Sequence, residues 1–262
     1  MTGVYTTTPG LSRAEEEIFD TDEHYEEYLE NKKRCRAEDI SKYYCTYDFR
    51  ESTRAAVIDF LKQFSRIKST DFDAICSQFQ EDVAVVQLDA GKDWLAAIHL
   101  CSPNHWDPRT KVGKPFDAIH TPVPEIGRTV KNYMVMLKMI VDKEPFARFA
   151  WGIATDDRLN HHPEPPAGYD ANEWRGRRVI DESNRFFVRV EKQHLIGLKD
   201  VNAFIFTIRT YFYRVEELSP EERVALAKAV NSMTPASLEY KGMTQLKDQL
   251  MSLLAKRSLS DI

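Results

Sequence analysis

The sequence predicts an α+β fold, and three observations carry that expectation. Runs of alternating hydrophobicity lie in the middle and late thirds of the chain, whereas helical periodicity dominates both ends. The strand-like runs do not alternate with crossover helices, which disfavours a doubly wound parallel sheet. Finally, 262 residues with 42% hydrophobic and 11% aromatic side chains supply a substantial core. A formal net charge of -5 argues against a protein that neutralises nucleic-acid phosphates.

The elements follow in order. Glu15 to Glu30 is acidic, with Ile18, Phe19, Tyr25, Tyr28 and Leu29 as a thin apolar face, and is expected to form an amphipathic helix. Ala56, Val57, Phe60, Leu61 and Phe64 recur at helical spacing behind Ser52 or Thr53 as a cap. A shorter helix is expected at Phe72 to Gln78. Val83 to Leu88 and Trp94 to Cys101 read as a strand pair joined by a glycine-containing loop. Ser102 to Gly127 is proline-rich and reads as ordered loop, and Val130 to Val141 returns to helix, with methionines at 134, 136 and 139. Arg148 to Ala154 is a strand candidate, and Asp156 to Val179 is expected to be a mobile surface loop.

Arg185 to Gln193 and Ala203 to Tyr213 form the best antiparallel pair. Counting by twos puts Thr207, Arg209, Tyr211 and Tyr213 on one side of the second strand. It puts Phe187, Arg189 and Glu191 on one side of the first. Ser219-Pro220-Glu221-Glu222 is a helix start, and Thr244 to Lys256 a final helix. The expected division is an N-terminal helical extension over residues 1–50, a central domain over 51–218, and C-terminal helices over 219–262.

Cys35, Cys45, Cys76 and Cys101 form no CxxC pair and read as free thiols of a reducing, cytosolic compartment. The opening residues resemble no signal or transit peptide, and no apolar run reaches membrane-spanning length. GxGxxG after a strand, GxxxxGK[ST], GxSxG and HExxH are all absent, as are iron–sulfur spacings. A redox protein of this sequence is therefore not expected to bind NAD(P) or an iron–sulfur cluster itself. Among seven histidines, His161 and His162 are adjacent and poorly placed for one metal ion. His120 differs, because Ala-Ile-His-Thr-Pro-Val-Pro holds its imidazole in a stiffened segment that suits an axial metal ligand.

The block from Cys101 to Pro124, which reads CSPNHWDPRTKVGKPFDAIHTPVP, resembles the central motif of the haem-dependent oxidative N-demethylase family. Arg148-Phe-Ala-Trp151-Gly152-Ile153 is similar to a second block. Val188-Arg189-Val190-Glu191-Lys192-Gln193 leading to Phe206-Thr207-Ile208-Arg209-Thr210-Tyr211 is similar to a third. The resemblance implies a PAS-like, five-stranded antiparallel sheet with flanking helices around a b-type haem. It implies oxidative N-demethylation of a small amine with O2, releasing formaldehyde, with electrons from a separate NADPH-dependent flavin and iron–sulfur reductase, so that the flavin too belongs to a separate protein. His120 is then the expected iron ligand, with His99 and His194 as fallbacks. Arg189, Lys111, Trp106 and Trp151 would hold the cofactor, and Arg209, Tyr211 and Glu191 would act on oxygen or the amine. Ala150 stands where the family usually has Asn, His194 where Thr is usual, and Ile196-Gly-Leu198-Lys replaces Arg-Leu-Pro, so the substrate need not be dimethylamine. A haem-binding PAS-type gas or redox sensor is the alternative.

Overall fold

The computed structural model describes residues 3–15, 17–127, 131–177 and 185–255. Its centre is an antiparallel sheet of seven strands rather than five. These are β1 (Ser12–Arg13), β2 (Tyr44–Thr46), β3 (Asp82–Asp89), β4 (Lys92–His99), β5 (Phe146–Ala154), β6 (Phe187–Leu198) and β7 (Ala203–Arg214), in the spatial order β1-β5-β6-β7-β3-β4-β2. The two additional strands are short edge pieces, β1 on the end of β5 and β2 on β4. Nine α-helices are seen among the described residues: α1 (Tyr25–Asp39), α2 (Glu51–Leu61), α3 (Phe72–Cys76), α4 (Phe116–His120), α5 (Tyr133–Asp142), α6 (Ala171–Arg175), α7 (Pro220–Asn231), α8 (Pro235–Tyr240) and α9 (Lys247–Ala255).

Register assigns the two faces, because directly paired residues share a side. Arg148, Ala150 and Gly152 of β5 pair with Gln193, Glu191 and Arg189 of β6, which pair with Ile208, Thr210 and Phe212 of β7. This front face is covered at one end by α5, whose Leu137, Ile140 and Val141 pack with Leu88, Leu195 and Phe204. Beside it, Trp106 and Ile119 lie on Ala84, Leu95, Ile98 and Ile208. The back face is covered by α2 and α3 over Val83, Val85, Ala97, Ile196 and Ile205. The C-terminal helices seal Ile153 and Val188 at the other end of that face.

Several elements depart from expectation for identifiable reasons. The N-terminal helix begins at Tyr25 rather than near Glu15, and residues 17–22 run as irregular chain that lays Ile18 and Phe19 on the α2–α3 core. Its buried positions are Tyr28, Asn31, Lys32 and Cys35, a helical stripe whose two polar members disguise it. Lys32 is 1% exposed, donating to the carbonyls of Cys76 and Glu81 and lying 3.7 Å from Asp82. α2 gains no side-chain cap, because Thr53 instead hydrogen-bonds Gln87 beneath it. β6 continues through Leu195 and Ile196, which pair with Phe206 and Ile205, so the connection to β7 shortens to a turn at left-handed Asn202. The segment after Asp156 is no loose surface loop through residue 177, since Leu159, Asn160, His161, His162 and Trp174 are all buried. Ser219 forms the full capping box expected of it. The expected helix start at Val130, loop end at Val179 and helix end at Lys256 lie outside the described residues.

Gly197 permits the closest helix–sheet approach. A Cβ there would sit 2.3 Å from the Val141 carbonyl oxygen and 2.6 Å from that of Ile140. Both obstacles are backbone at the end of α5, so Gly197→Ala must push the helix off the sheet. We expect it to lower stability by about 1–3 kcal/mol, read as a lower melting temperature in a thermal scan.

Candidate functional site

On the front face, β5 supplies a floor of small side chains. Ala150 and Gly152 alternate with residues of the opposite side, and a Cβ built on Gly152 meets no heavy atom within 4 Å. Glycine inside a strand marks a place where something approaches the backbone closely. Beside this floor stand the loop after Cys101, whose Asn104 reaches Glu191, and α4, whose Ile119 packs on Ala84, Leu95, Ile98 and Ile208 although none of its five residues is fully buried.

His120 ends α4. Its Nδ1 lies 2.7 Å from the Phe116 carbonyl oxygen, and its ring stacks on Phe116 at 3.9 Å between centroids. A carbonyl only accepts, so Nδ1 carries the proton and Nε2 keeps its lone pair. Burial lowers the His120 pKa, with Arg148 and Lys111 nearby adding to the effect, which keeps the ring neutral. Lys111 donates to the Ile119 carbonyl at 3.1 Å and thereby braces the turn that carries His120.

Arg189 is 2% exposed and spreads over its surroundings. It donates to the carbonyls of Ser102 at 2.6 Å and Leu159 at 3.4 Å, to Thr210 Oγ1 at 3.3 Å and to His161 Nδ1 at 3.0 Å. His161 must therefore present a lone pair at Nδ1 and donate through Nε2 to Asp156, 2.8 Å away. Glu191 lies 3.6 Å from Arg189 Nε and accepts from Gln193 at 2.9 Å and Asn104 at 3.4 Å.

Three further cations gather at this end of the sheet. Arg148 and Lys241 both feel Glu191, and Arg177 feels Arg189. Burial lowers the Lys241 pKa to about 8, opposed by Glu191 and reinforced by Arg177 and Arg148. Burial likewise brings Arg177 down to about 10, with Arg175 and Arg189 adding to it. The Nε atoms of Arg148 and Arg177 are buried without a hydrogen-bond partner among the described residues.

Other expected site residues lie elsewhere. Arg209 and Tyr211 pair in register with Lys192 and Val190, on the back face. There Arg209 binds Asp22 at 2.6 Å and covers the Tyr28 ring at 4.1 Å. It fastens the N-terminal segment, and one pocket cannot hold it together with Arg189 and Glu191. Trp151 also faces backward, edge-on to Tyr5 at 6.1 Å. Of the fallback histidines, His99 is held by Asp73 at 3.1 Å beneath α3, and His194 lies on the back face with Thr207. His120, Lys111, Trp106, Arg189 and Glu191 do share the front face. Arg148 and Gly152 lie inside the second sequence block, whereas nothing in the sequence around Arg177 and Lys241 marks them.

A family profile described as haem-dependent oxidative N-demethylase, alpha subunit-like, matches residues 66–251. The chain belongs to this family. The match extends past the sequence blocks at both ends, taking in α3 and most of the C-terminal helices. The residues of this N-demethylase-like chain fit the haem that the family name carries. A neutral histidine has one nitrogen anchored and the other unengaged among the described residues, a small-residue floor lies open, and buried guanidinium nitrogens lack partners. The anchored Nδ1 is the arrangement that fixes ring orientation in metal-ligating histidines.

The buried histidines also set an acid limit. Burial, the largest influence on each, holds His99 and His161 below the ordinary value of 6.5. The unfolded chain then binds protons that the folded chain refuses, so stability is full above pH 6.5 and falls below it. Each contributes up to about 1.4 kcal/mol per pH unit. At Asp73 burial opposes ionisation, but bonds from His99 and Arg36 outweigh it and bring the pKa down to about 2. That contribution is present above 3.8 and is lost as pH falls toward 2. Urea midpoints measured from pH 8 to 4 should decline from about pH 6.5, and His99→Gln should flatten the slope.

Proposed function

We propose that this chain is the haem-carrying subunit of a multicomponent amine-oxidising system that removes an N-methyl group as formaldehyde. The observation that carries the reading is His120, with Nδ1 tied to the Phe116 carbonyl and Nε2 unengaged among the described residues, on the sheet face where Gly152 leaves open space. A b-type haem bound there would supply O2 activation. In the overall balance, one oxygen atom leaves in formaldehyde and the other in water, with two electrons from a separate NADPH-dependent flavin and iron–sulfur protein. The five long strands, in the order β4-β3-β7-β6-β5 with helices over both faces, support a PAS-like arrangement to which β1 and β2 are additions.

The side chains divide the work. His120 would hold the iron through Nε2, and Lys111 fixes the turn behind it through the Ile119 carbonyl. Trp106 and Ile119 exclude water from the sheet surface on one flank. Glu191, its carboxylate oriented by Asn104 and Gln193, attracts a protonated amine to the floor. Ala150 pairs with Glu191 in register, so the departure from the family's usual Asn enlarges the space beside that carboxylate. Arg209 and Tyr211 hold the N-terminal segment in place and stand outside the chemistry.

Reconstitution with haemin tests the reading. Wild type should bind one haem and release formaldehyde from an N-methylamine with a surrogate reductant. His120→Ala should lose the wild-type Soret band, and Gly152→Val should fold but bind haem poorly. Retention of an unchanged Soret band in His120→Ala would overturn the ligand assignment. Glu191→Gln should keep its haem and raise KM for the amine roughly tenfold to hundredfold, the range of a lost charged hydrogen bond.

A further inference from the structure

Four buried residues that no sequence motif connects meet where β3 begins and β4 ends. One ligand atom from each of Asp82, His99 and Cys101 falls within 4.8 Å of the other two. Cys35, outside that set but brought in on α1, shares a buried cluster with Cys101, and its Sγ lies 3.6 Å from the Cys101 carbonyl oxygen. None of the four is more than 1% exposed, so water does not satisfy them. The cluster stands independently of the haem reading.

The histidine is prepared as a ligand. Arg36 Nε grips the Asp73 carboxylate at 3.0 and 3.1 Å, and Asp73 in turn lies 3.1 Å from His99 Nε2. A carboxylate only accepts, so Nε2 carries the proton and Nδ1 keeps a lone pair. That Nδ1 is buried with no hydrogen-bond partner among the described residues. A carboxylate on one ring nitrogen and an unused lone pair on the other is the arrangement of metal-binding histidines. The other donors are also held. Asp82 accepts from the backbone N–H groups of Cys101 at 2.9 Å and Ser102 at 2.8 Å. Asn160 Nδ2 donates to the Cys35 sulfur at 3.5 Å, a bond that favours thiolate over thiol.

Charge decides how many thiols take part. Among the described residues, Lys32 Nζ stands 3.7 Å from Asp82 Oδ1, so with both thiols protonated the cluster is neutral; Asp73 and Arg36 form a second pair beside it. A divalent ion held by one thiolate would leave an excess positive charge next to Lys32, which is very unfavourable in a buried place. Held by both thiolates it replaces two thiol protons, which pass to solvent, and neutrality is kept. Thiolate, imidazole and carboxylate together are a donor set for zinc. We propose that Cys35, Asp82, His99 and Cys101 form a structural zinc site. With four protein ligands it has no open position for a substrate. The ion joins α1, β3 and β4 at the point where the segment carrying His120 leaves the sheet.

Full-length protein is produced in zinc-supplemented medium, dialysed against a chelator, and examined by elemental analysis and zinc-edge X-ray absorption, which haem does not obscure. Wild type should keep one zinc per chain, with two sulfur neighbours at about 2.3 Å and nitrogen or oxygen at about 2.0–2.1 Å. His99→Gln, Cys101→Ser and Cys35→Ser should each lose the zinc under the same dialysis. Cys45→Ser, which alters a half-buried thiol on β2, should keep it. Asp73→Asn leaves every ligand in place and should weaken zinc about tenfold to hundredfold in chelator competition, the usual effect of losing an orienting partner. The wild-type spectrum decides even where a variant fails to fold: absence of stoichiometric zinc, or a shell with fewer than two sulfurs, would overturn the proposal. Zinc retained by any of the three ligand variants would overturn it as well.

Discussion

A guanidinium with almost no access to water sits in the middle of the sheet, and the front of the molecule is organised around it. Removing a partner from such a group leaves an uncompensated buried charge, worth about 3–5 kcal/mol. Arg189 therefore draws in the carbonyls of Ser102 and Leu159, from two loops more than fifty residues apart in sequence. The loops then bond to each other, with His105 N on the His161 carbonyl at 3.0 Å and His161 N on that of Pro103 at 3.2 Å. His105 accepts a left-handed φ of 61° and stacks on His161 at 5.0 Å. Asn104 reaches Glu191 and Trp106 reaches the apolar floor because the loop is pinned this way.

The same sequence signature, an arginine inside an apolar strand, has two outcomes here, and register alone decides between them. Arg189 pairs with Phe212 and looks forward, whereas Arg209 pairs with Lys192 and looks back. Forward lies the open floor; backward lie α1 and the extended residues before it. Arg209 is matched by Asp22 and by the faces of Tyr28 and Tyr211, so its charge serves attachment of the N-terminal segment. The sheet thus keeps one face for a ligand and uses the other to gather the helices.

Strands were legible wherever alternation was uninterrupted, as in β6 and β7, and the side-chain faces followed by counting. Counting also puts Trp151 on the side opposite Ala150 and Gly152, which is where it meets Tyr5. α1 was misplaced because Asn31 and Lys32 occupy interior positions and satisfy themselves on carbonyls that only the folded chain supplies. His120, Arg189 and Glu191 could be found from local context, since each looks anomalous among its sequence neighbours. Arg177 and Lys241 could not. Each is an ordinary cation in a polar stretch, and their meeting depends on how the C-terminal helices return to the edge of β5.

That return also gives the cation cluster its energetic meaning. The chain as a whole is acidic, at -5, and residues 15–30 carry nine of its 41 acidic side chains. Among the described residues the front end of the sheet is locally cationic, whereas the N-terminal segment is acidic. Low-dielectric walls focus the field of such a cluster and favour an anion against the overall repulsion. With Lys241 brought to about 8 and Arg177 to about 10, both keep their charge at neutral pH but at the expense of stability. The C-terminal helices bring Lys241 to β5 on the strength of their own apolar packing, and the Trp151 carbonyl with the Tyr5 and Trp151 rings holds it there.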